Sequence, residues 1–277
     1  MQTYRQITDQ QQSLIELQGL MEVYEEIAAM KMQKIRQAIV DARDYFTALA
    51  KFSDEVGADL QNLKNQNKQG EAVLFIAANA NLFGEIIHLV FADFLKYIEA
   101  NPGVKIYVAG SVGVSLMQYY ADKFDFEELA ISDEEISAEV LAEIVAKLAK
   151  YQKIHLFYGQ FYNIVLQEAR LRSLSGEILA GSAEEIHGQD DLHLNYLYEP
   201  SPQTISSKIG TEIFASVCEQ TLNEAQLAKF ASRLMHLDRA LSKTSEMNAN
   251  LLREKRNLDR KMNDKKQRSR FLATRCC

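Results

Sequence analysis

Apolar residues in the first quarter of the chain recur at alternating steps of three and four. A repeat of 3.5 residues that is sustained over several heptads predicts a long helix that winds around a partner helix with a left-handed supercoil. The spacing therefore predicts an N-terminal coiled-coil helix over residues 1–66, broken in its pattern only by Lys31 and Asp59. The predicted seam consists of Leu14, Leu17, Met21, Tyr24, Ala28, Ile35, Ala38, Ala42, Tyr45, Leu49, Phe52, Val56 and Leu63.

The last quarter of the chain has the same spacing and predicts a second coiled-coil helix over residues 203–277. Asn248, Lys255 and Lys265 occupy positions where the pattern calls for apolar residues, so we expect the distal part to face a partner or water. Both ends lack proline, which permits long helices. The predicted seam consists of Leu227, Phe230, Leu234, Leu237, Leu241, Thr244, Leu251, Leu258 and Met262.

Between the two ends, over residues 67–202, short apolar runs alternate with helical stretches. The runs at 73–78, 104–109 and 153–158 read as buried strands, and helices are expected near 83–99, 112–123 and 134–150. This alternation predicts a Rossmann-like three-layer α/β domain with a largely parallel sheet that is covered on both faces. The stretches 122–143 and 176–195 are predicted to be polar loops, the first leading into a helix.

Composition narrows the class of protein. The chain is 47% hydrophobic and 25% charged, and its polar N-terminus does not resemble a signal peptide, so we expect a soluble intracellular protein. The net charge of -7 hides an excess of seven positive charges after residue 249, which leaves -14 on the remainder. Such a basic helix suits an acidic partner or solvent, and no aromatic interleaving or motif indicates nucleic acid.

No pattern in the sequence predicts a catalytic, cofactor-binding or metal-binding residue. The turn from Gly110 to Gly113 lacks the third glycine of a dinucleotide site and the Gly-Lys-Ser of a triphosphate loop, so we expect a plain strand-to-helix connection. His187 and His193, near Asp190 and Asp191, lack helical ligand spacing and are read as a polar loop. Cys218 is expected to be a small buried apolar residue, and Cys276 and Cys277 to be exposed terminal thiols.

Several strings, in order along the chain, resemble the gamma subunit of F-type ATP synthases. Residues 27–34 resemble the family's M-V-A-A-S-K-M-R-K stretch, and residues 110–115 resemble its G-S-K-G-V-S. Residues 196–202 match its Y-L-Y-E-P-x-P string, whereas residues 79–85 have lost the charged and glycine-rich character of its D-R-G-L-C-G-G segment. The resemblance therefore implies a divergent branch of the family, for which an alternate, ion-pumping ATPase is a candidate. The remaining matches are Gln18, Phe161, Gln167, Arg233, Asp238, Ala240, Asn263 and Gln267.

The resemblance implies a non-catalytic rotor shaft without a cofactor. The terminal helices would pair as an antiparallel coiled coil inside a ring of alternating alpha and beta subunits, and the epsilon subunit and the membrane c-ring would be further partners. The protein would lie on the cytoplasmic face of a bacterial membrane without inserting into it. The implied ring contacts are Lys31, Lys34, Arg233, Lys255, Arg256, Asn263 and Gln267, and Leu17, Tyr24, Leu49, Leu237, Leu241 and Leu251 represent the seam.

Two other interpretations remain open from the residues alone. A coiled-coil scaffold that carries an α/β domain would associate with itself through its helices. A small-molecule enzyme would use the central domain, for which the alternation of strands and helices is the sole argument.

Overall fold

The computed structural model describes residues 4–55, 70–81, 83–133, 136–174 and 202–274. Two long helices, α1 (Tyr4–Glu55) and α5 (Pro202–Thr274), begin and end the described chain. The predicted seam positions Val56 and Leu63, the stretch 176–195 with its two histidines, the string at 196–201 and the terminal cysteines lie outside these residues. Helix α5 begins at Pro202, whose fixed φ suits the first turn of a helix.

The elements between the long helices alternate as the sequence predicts. They are β1 (Glu71–Ile76), α2 (Ile86–Ala100), β2 (Lys105–Ala109), α3 (Ser111–Gln118), β3 (Phe126–Leu129), α4 (Ala138–Leu148), β4 (Lys153–Phe161) and β5 (Gln167–Leu174). They form one five-stranded sheet in the order β3-β2-β1-β4-β5, in which the first four strands are parallel and β5 is antiparallel to β4. The α/β class with long terminal helices is confirmed.

Two strands were missed by the sequence pattern. Strand β3 lies within the acidic stretch 122–143 that was predicted to be a loop, and that prediction is wrong for Phe126–Leu129. Among the described strands this edge strand pairs with β2 alone, and Leu129 is its one fully buried residue, so it carries no apolar run. Strand β5 alternates polar and apolar residues because it lies at the opposite edge of the sheet.

Helices cover both faces of the sheet. On one face, the ring of Phe94 in α2 stacks on Phe75 of β1 at a centroid distance of 5.1 Å and meets Phe157 of β4 edge-on at 5.6 Å. On the other face, Leu74 and Leu156 belong to a core that α4 and the first part of α5 complete. The residues that α4 and α5 contribute to this core include Ile144, Val145, Leu148, Ile209, Ile213, Val217 and Leu222.

The chain divides into two compact units, and the division falls within the long helices. One unit contains residues 1–28 and 234–277, and the other contains residues 29–233. The inner parts of both helices therefore belong to the α/β unit. Within residues 29–233, Phe46 and Leu49 of α1 pack against the α/β core, and residues of α5 between Ile209 and Ala225 belong to it. The domain boundaries at residues 66 and 202, expected from the apolar spacing, remain a prediction.

Candidate functional site

In the unit formed by residues 1–28 and 234–277, α1 and α5 pair as antiparallel helices. The amide Nε2 of Gln11 donates to Oδ1 of Asn248 at 3.4 Å, and Nζ of Lys255 donates to Oε1 of Gln11 at 3.3 Å. The same ammonium lies 5.1 Å from the ring centroid of Tyr4. Earlier residues of α1 thus contact later residues of α5, which is the geometry of an antiparallel pair.

The side of α1 that is shielded from solvent in this unit corrects the predicted register. Leu17 and Tyr24 were predicted to be seam residues, but they are 45% and 38% exposed. Leu14, Met21 and Ala28 of the predicted seam are shielded from solvent. The positions between them shift by one residue, so that Gln18 is shielded in place of Leu17 and Glu25 in place of Tyr24. The buried and half-buried positions of α1 here are Ile7, Thr8, Gln11, Leu14, Gln18, Met21, Glu25 and Ala28.

The physical reason for this slip is that α1 is apolar on more than one side. A heptad can continue from Leu14 by a step of three to Leu17 or a step of four to Gln18, and hydrophobicity favours Leu17. In the structure Gln18 is half-buried and Leu17 is 45% exposed, so the shielded side continues by the step of four. Hydrophobicity within α1 therefore does not set the register of this helix by itself.

In helix α5 the shielded positions keep a heptad spacing through Asn248 and Lys255, where the sequence pattern lacks the expected apolar residues. Asn248 and Lys255 are half-buried and bond to Gln11, so a polar cluster fills the seam where apolar residues were expected. Leu237, Leu241 and Leu251 are half-buried in the same register. Beyond residue 260, α5 is exposed wherever its side chains are described, as are the predicted contact residues Asn263 and Gln267.

In the unit formed by residues 29–233, a buried ion pair joins α5 to the end of the sheet. Nζ of Lys229 lies 2.9 Å from Oδ1 of Asp133 and donates to the carbonyl oxygen of Ala77 at 3.0 Å. The side chains of Lys229 and Asp133 are 3% and 13% exposed. Burial lowers the pKa of Lys229, and the charge of Asp133 opposes that shift. No pattern in the sequence indicates this pair, because a single lysine in a helix is ordinarily solvated.

Asn79 organises the loops around this ion pair. Its backbone N–H donates to Oδ2 of Asp133 at 2.6 Å, its amide Nδ2 donates to the carbonyl of Ile131, and its Oδ1 accepts the N–H of Ser111 at 2.9 Å. Gln226 of α5 donates to the carbonyl of Ser132 at 3.1 Å. The loops that follow β1, β2 and β3 are thereby tied to one another, and two of them are tied to α5. We call Lys229, Asp133, Asn79, Ser111 and Gln226 the anchor.

Aromatic and cationic groups pack beside the anchor. The ring of Phe83 meets Phe230 edge-on at 5.5 Å, and the guanidinium of Arg233 lies 4.1 Å from the Phe83 centroid. Arg233, a predicted ring contact, is half-buried here. Among the other predicted contacts on the long helices, Lys31 is half-buried, and Lys34 and Arg256 are exposed. Leu49 packs against the α/β core.

The described residues offer few groups for chemistry. They contain no group of three or more His, Cys, Asp or Glu that could hold a metal ion. Gly110 has a φ of +97°, and a Cβ there would lie 2.8 Å from the carbonyl oxygen of Ala78, so this glycine serves a tight strand-to-helix connection. Cys218 is buried, which raises the pKa of its thiol to about 12. Among residues whose placement is described, no helix is both long and apolar enough to cross a membrane.

One unit contains an antiparallel pair of helices, and the other contains an α/β sheet that packs on the first part of α5, which together indicate a structural protein with a coiled coil. Comparisons with known proteins identify the family. The family model described as ATP synthase matches residues 3–264, and the chain belongs to this family. Curated relatives that cover most of the chain are gamma chains of ATP synthases, which are non-catalytic subunits.

The relatives are distant but match over most of their length. The ATP synthase gamma chain of Halothermothrix orenii is 21% identical over 89% of both chains, and that of Chlorobaculum parvum is 23% identical over 80% of both. A rotor chain of the Euglena gracilis mitochondrial ATP synthase superposes with a TM-score of 0.61 at 12% identity, covering 94% of this chain and 98% of its own. A central stalk and c-ring structure from Tetrahymena thermophila gives 0.58 at 14% identity, covering 80% and 99%.

Proposed function

We propose that this chain is the rotating central shaft of an F-type ATP synthase or ATPase, coupling ion flow through a membrane rotor to nucleotide turnover in a surrounding ring of alpha and beta subunits. The observation that carries the proposal is the antiparallel seam between α1 and α5. The names of the relatives, which are gamma chains, rotors and central stalks, support the same role.

The shaft has to transmit torque without unwinding at its base. A single helix twists easily, and two helices that interlock through a heptad seam resist twist together. The anchor supports this role within the α/β unit, because Lys229 ties α5 to Asp133 and to the carbonyl of Ala77 through contacts that exclude water. Catalysis would occur in the beta subunits, whose conformations the shaft would bias through contacts that differ with its angle.

The ring contacts would combine apolar and polar groups. On α1, the apolar residues that face away from the seam are exposed in the isolated chain, and a contiguous exposed apolar surface marks an interaction site. Lys31, Lys34, Arg233, Lys255, Arg256, Asn263 and Gln267 remain proposed polar contacts. The exposed apolar residues of α1 in this region are Ile15, Leu17, Leu20, Val23, Tyr24, Ile27 and Met30.

Membership of the family makes the chain a peripheral subunit. The finer placement, at the cytoplasmic face of a bacterial membrane and in contact with an epsilon subunit and a c-ring, is part of the proposal. The low identity to the curated relatives and the replacement at Asn79 to Glu85 support a divergent branch, such as an alternate, ion-pumping ATPase.

Affinity purification of the native complex through a tag on this chain tests the proposed function. We expect two kinds of nucleotide-binding subunit to co-purify, together with a small membrane rotor protein. A chain that is isolated alone, or with copies of itself, would contradict the proposal. The double variant Leu20→Gln/Val23→Gln should reduce recovery of the ring, and Leu89→Gln, an equally exposed apolar residue on α2, should leave it unchanged.

The scaffold alternative predicts pairing between chains. The variant Gln11→Cys/Asn248→Cys is kept at nanomolar protein concentration and treated with a short bifunctional thiol reagent. If the helices pair within one chain, the cross-linked product should have the mass of one chain. Cross-linked dimers that increase with protein concentration would favour the scaffold.

A further inference from the structure

A groove of about 810 Å³ in the unit of residues 29–233 is lined by α1, the β4–β5 hairpin and α5. Among the described residues that line it are four arginines, Arg36 and Arg43 from α1 and Arg170 and Arg172 from β5, and one acidic residue, Glu224. The groove thus carries an excess of three positive charges on a chain whose net charge is -7. Such local reversal of charge is typical of a site for an anionic partner.

The arginines are arranged in two rows. Arg170 and Arg172 alternate along β5 and so project from one face of the strand, about 7 Å apart. Arg36 and Arg43 are separated by two turns of α1, about 10 Å along the helix axis. Leu227 and Tyr158, both buried, line the same groove.

Two of the four guanidinium groups have their contacts within the chain. Arg172 donates to Oγ1 of Thr221 at 3.1 Å and to Oε1 of Gln220 at 3.5 Å, and Arg36 lies over the ring of Phe161 at 5.7 Å. Within the described ranges, Arg43 and Arg170 are exposed and form no ion pair. The planar guanidinium of an arginine without an ion pair can donate two parallel hydrogen bonds to a carboxylate.

Strand β5 supplies the second half of the site. It is the last strand in the sheet order, so among the described strands one of its edges has no neighbour. An added strand there would place every second side chain on the face that carries Arg170 and Arg172. An extended segment with acidic residues at alternate positions fits both the backbone edge and the charges.

We propose that the arginine groove binds an extended acidic segment of another subunit of the rotary complex, one that pairs with β5 and places carboxylates against Arg43 and Arg170. This inference rests on the proposed function for the existence of such a complex. The groove would then hold a second rotor component against the α/β unit, separately from the contacts that α1 and α5 make with the ring.

Photo-cross-linking in the native complex tests the proposal directly. A photoreactive phenylalanine analogue replaces Val40, which lines the groove, and a second complex carries it at Leu89 on α2 as a control. We expect Val40 to cross-link to an acidic segment of another subunit, and that product to be absent from the Leu89 complex. No product from Val40, or a product within the chain's own acid-rich residues 175–201, would overturn the proposal.

A binding measurement with the purified full-length chain distinguishes the groove from the basic C-terminus. The probe is a fluorescent peptide with four Asp-Thr repeats. Loss of two charge-assisted contacts should weaken binding at least about tenfold in Arg43→Gln/Arg170→Gln, and the control Lys265→Gln/Arg268→Gln should change it less than about twofold. Equal weakening in both variants would mean non-specific attraction and would overturn the proposal.

The two failures can be distinguished. If the chain does not co-purify with nucleotide-binding subunits, the proposed function fails. If it co-purifies with them but the Val40 analogue finds no acidic segment of a neighbouring subunit, the shaft assignment stands and the groove assignment fails.

Discussion

The two halves of α5 are parts of one continuous helix in contrasting environments. From Ile209 to Ala231 nearly every side chain is buried or half-buried, including polar ones such as Thr221, Gln226 and Lys229. From Leu234 onward the described side chains that are shielded are mainly those of a narrow heptad stripe. The first half is held on several sides, whereas the second half depends on its pairing with α1.

The comparison shows how one helix can be held by packing on several sides in its first half and by a single contact stripe in its second half. Burial on several sides fixes the rotation of the first half about its axis, because every rotation would break packing or expose Lys229. The second half has one contact stripe, which leaves the remaining surface for partners. Three predictions test this difference and a fourth tests the α/β unit that holds the first half, in order from the largest expected effect to the smallest.

Replacing the buried lysine of the anchor should have the largest effect. Lys229→Met leaves the largely buried carboxylate of Asp133 without its cationic partner, which typically costs about 3–5 kcal/mol in free energy of unfolding. Urea denaturation of the purified chain measures this cost. The double variant Lys229→Met/Asp133→Asn should recover part of it, since no unpaired charge remains. A loss below about 1 kcal/mol for the single variant would mean that the pair does not secure the first half of α5.

The corrected register of the second half can be tested with two adjacent residues. Met21 is 8% exposed and Leu20 is 55% exposed, so the same substitution should give opposite outcomes. Met21→Asp should destabilise helix pairing by about 2–4 kcal/mol, because a carboxylate enters the seam. Leu20→Asp should change stability by less than about 0.5 kcal/mol. Equal effects on the thermal midpoint of the isolated chain would contradict the register.

The polar cluster of the seam should contribute a smaller amount. Gln11→Leu removes the acceptor of Lys255 and the donor to Asn248, at an expected cost of about 1–2 kcal/mol. Replacing Gln11, Asn248 and Lys255 together by leucine should restore or exceed the original stability, because the seam then becomes apolar. Circular dichroism during thermal unfolding measures both variants. A triple variant less stable than Gln11→Leu would show that the polar cluster is favourable in itself.

The smallest expected effect concerns pH in the α/β unit. Burial lowers the pKa of His155, whose Nδ1 lies 2.9 Å from Oγ of Ser173, although the charge of Glu71 opposes the shift. Because the folded-state pKa lies below the unfolded value near 6.5, the unfolded chain binds more protons between the two. Stability should therefore fall as pH decreases through this window. His155→Gln should flatten this part of the profile of unfolding free energy against pH, and an unchanged slope would contradict the assignment.

The sequence alone determined the long helices, the alternation of β1, β2 and β4 with helices, and the family. The helices and strands follow from local periodicity, which each segment carries by itself, and the family follows from short strings in order along the chain. The sequence pattern did not predict edge strands β3 and β5, because a strand at the edge of a sheet needs little apolar surface. It did not predict the anchor either, because nothing in the residues next to Lys229 along the chain indicates that its side chain is buried.

Tertiary structure decided which faces of the helices meet. Between Leu14 and Met30, α1 carries apolar residues on more than one side, so its sequence permits more than one register, and the folded structure shields the one that includes Gln18 and Glu25. Gln11 shows the principle, since its burial follows from Asn248 and Lys255, which are more than two hundred residues away along the chain. Periodicity specifies that a helix has a buried side, whereas the partner specifies which side it is.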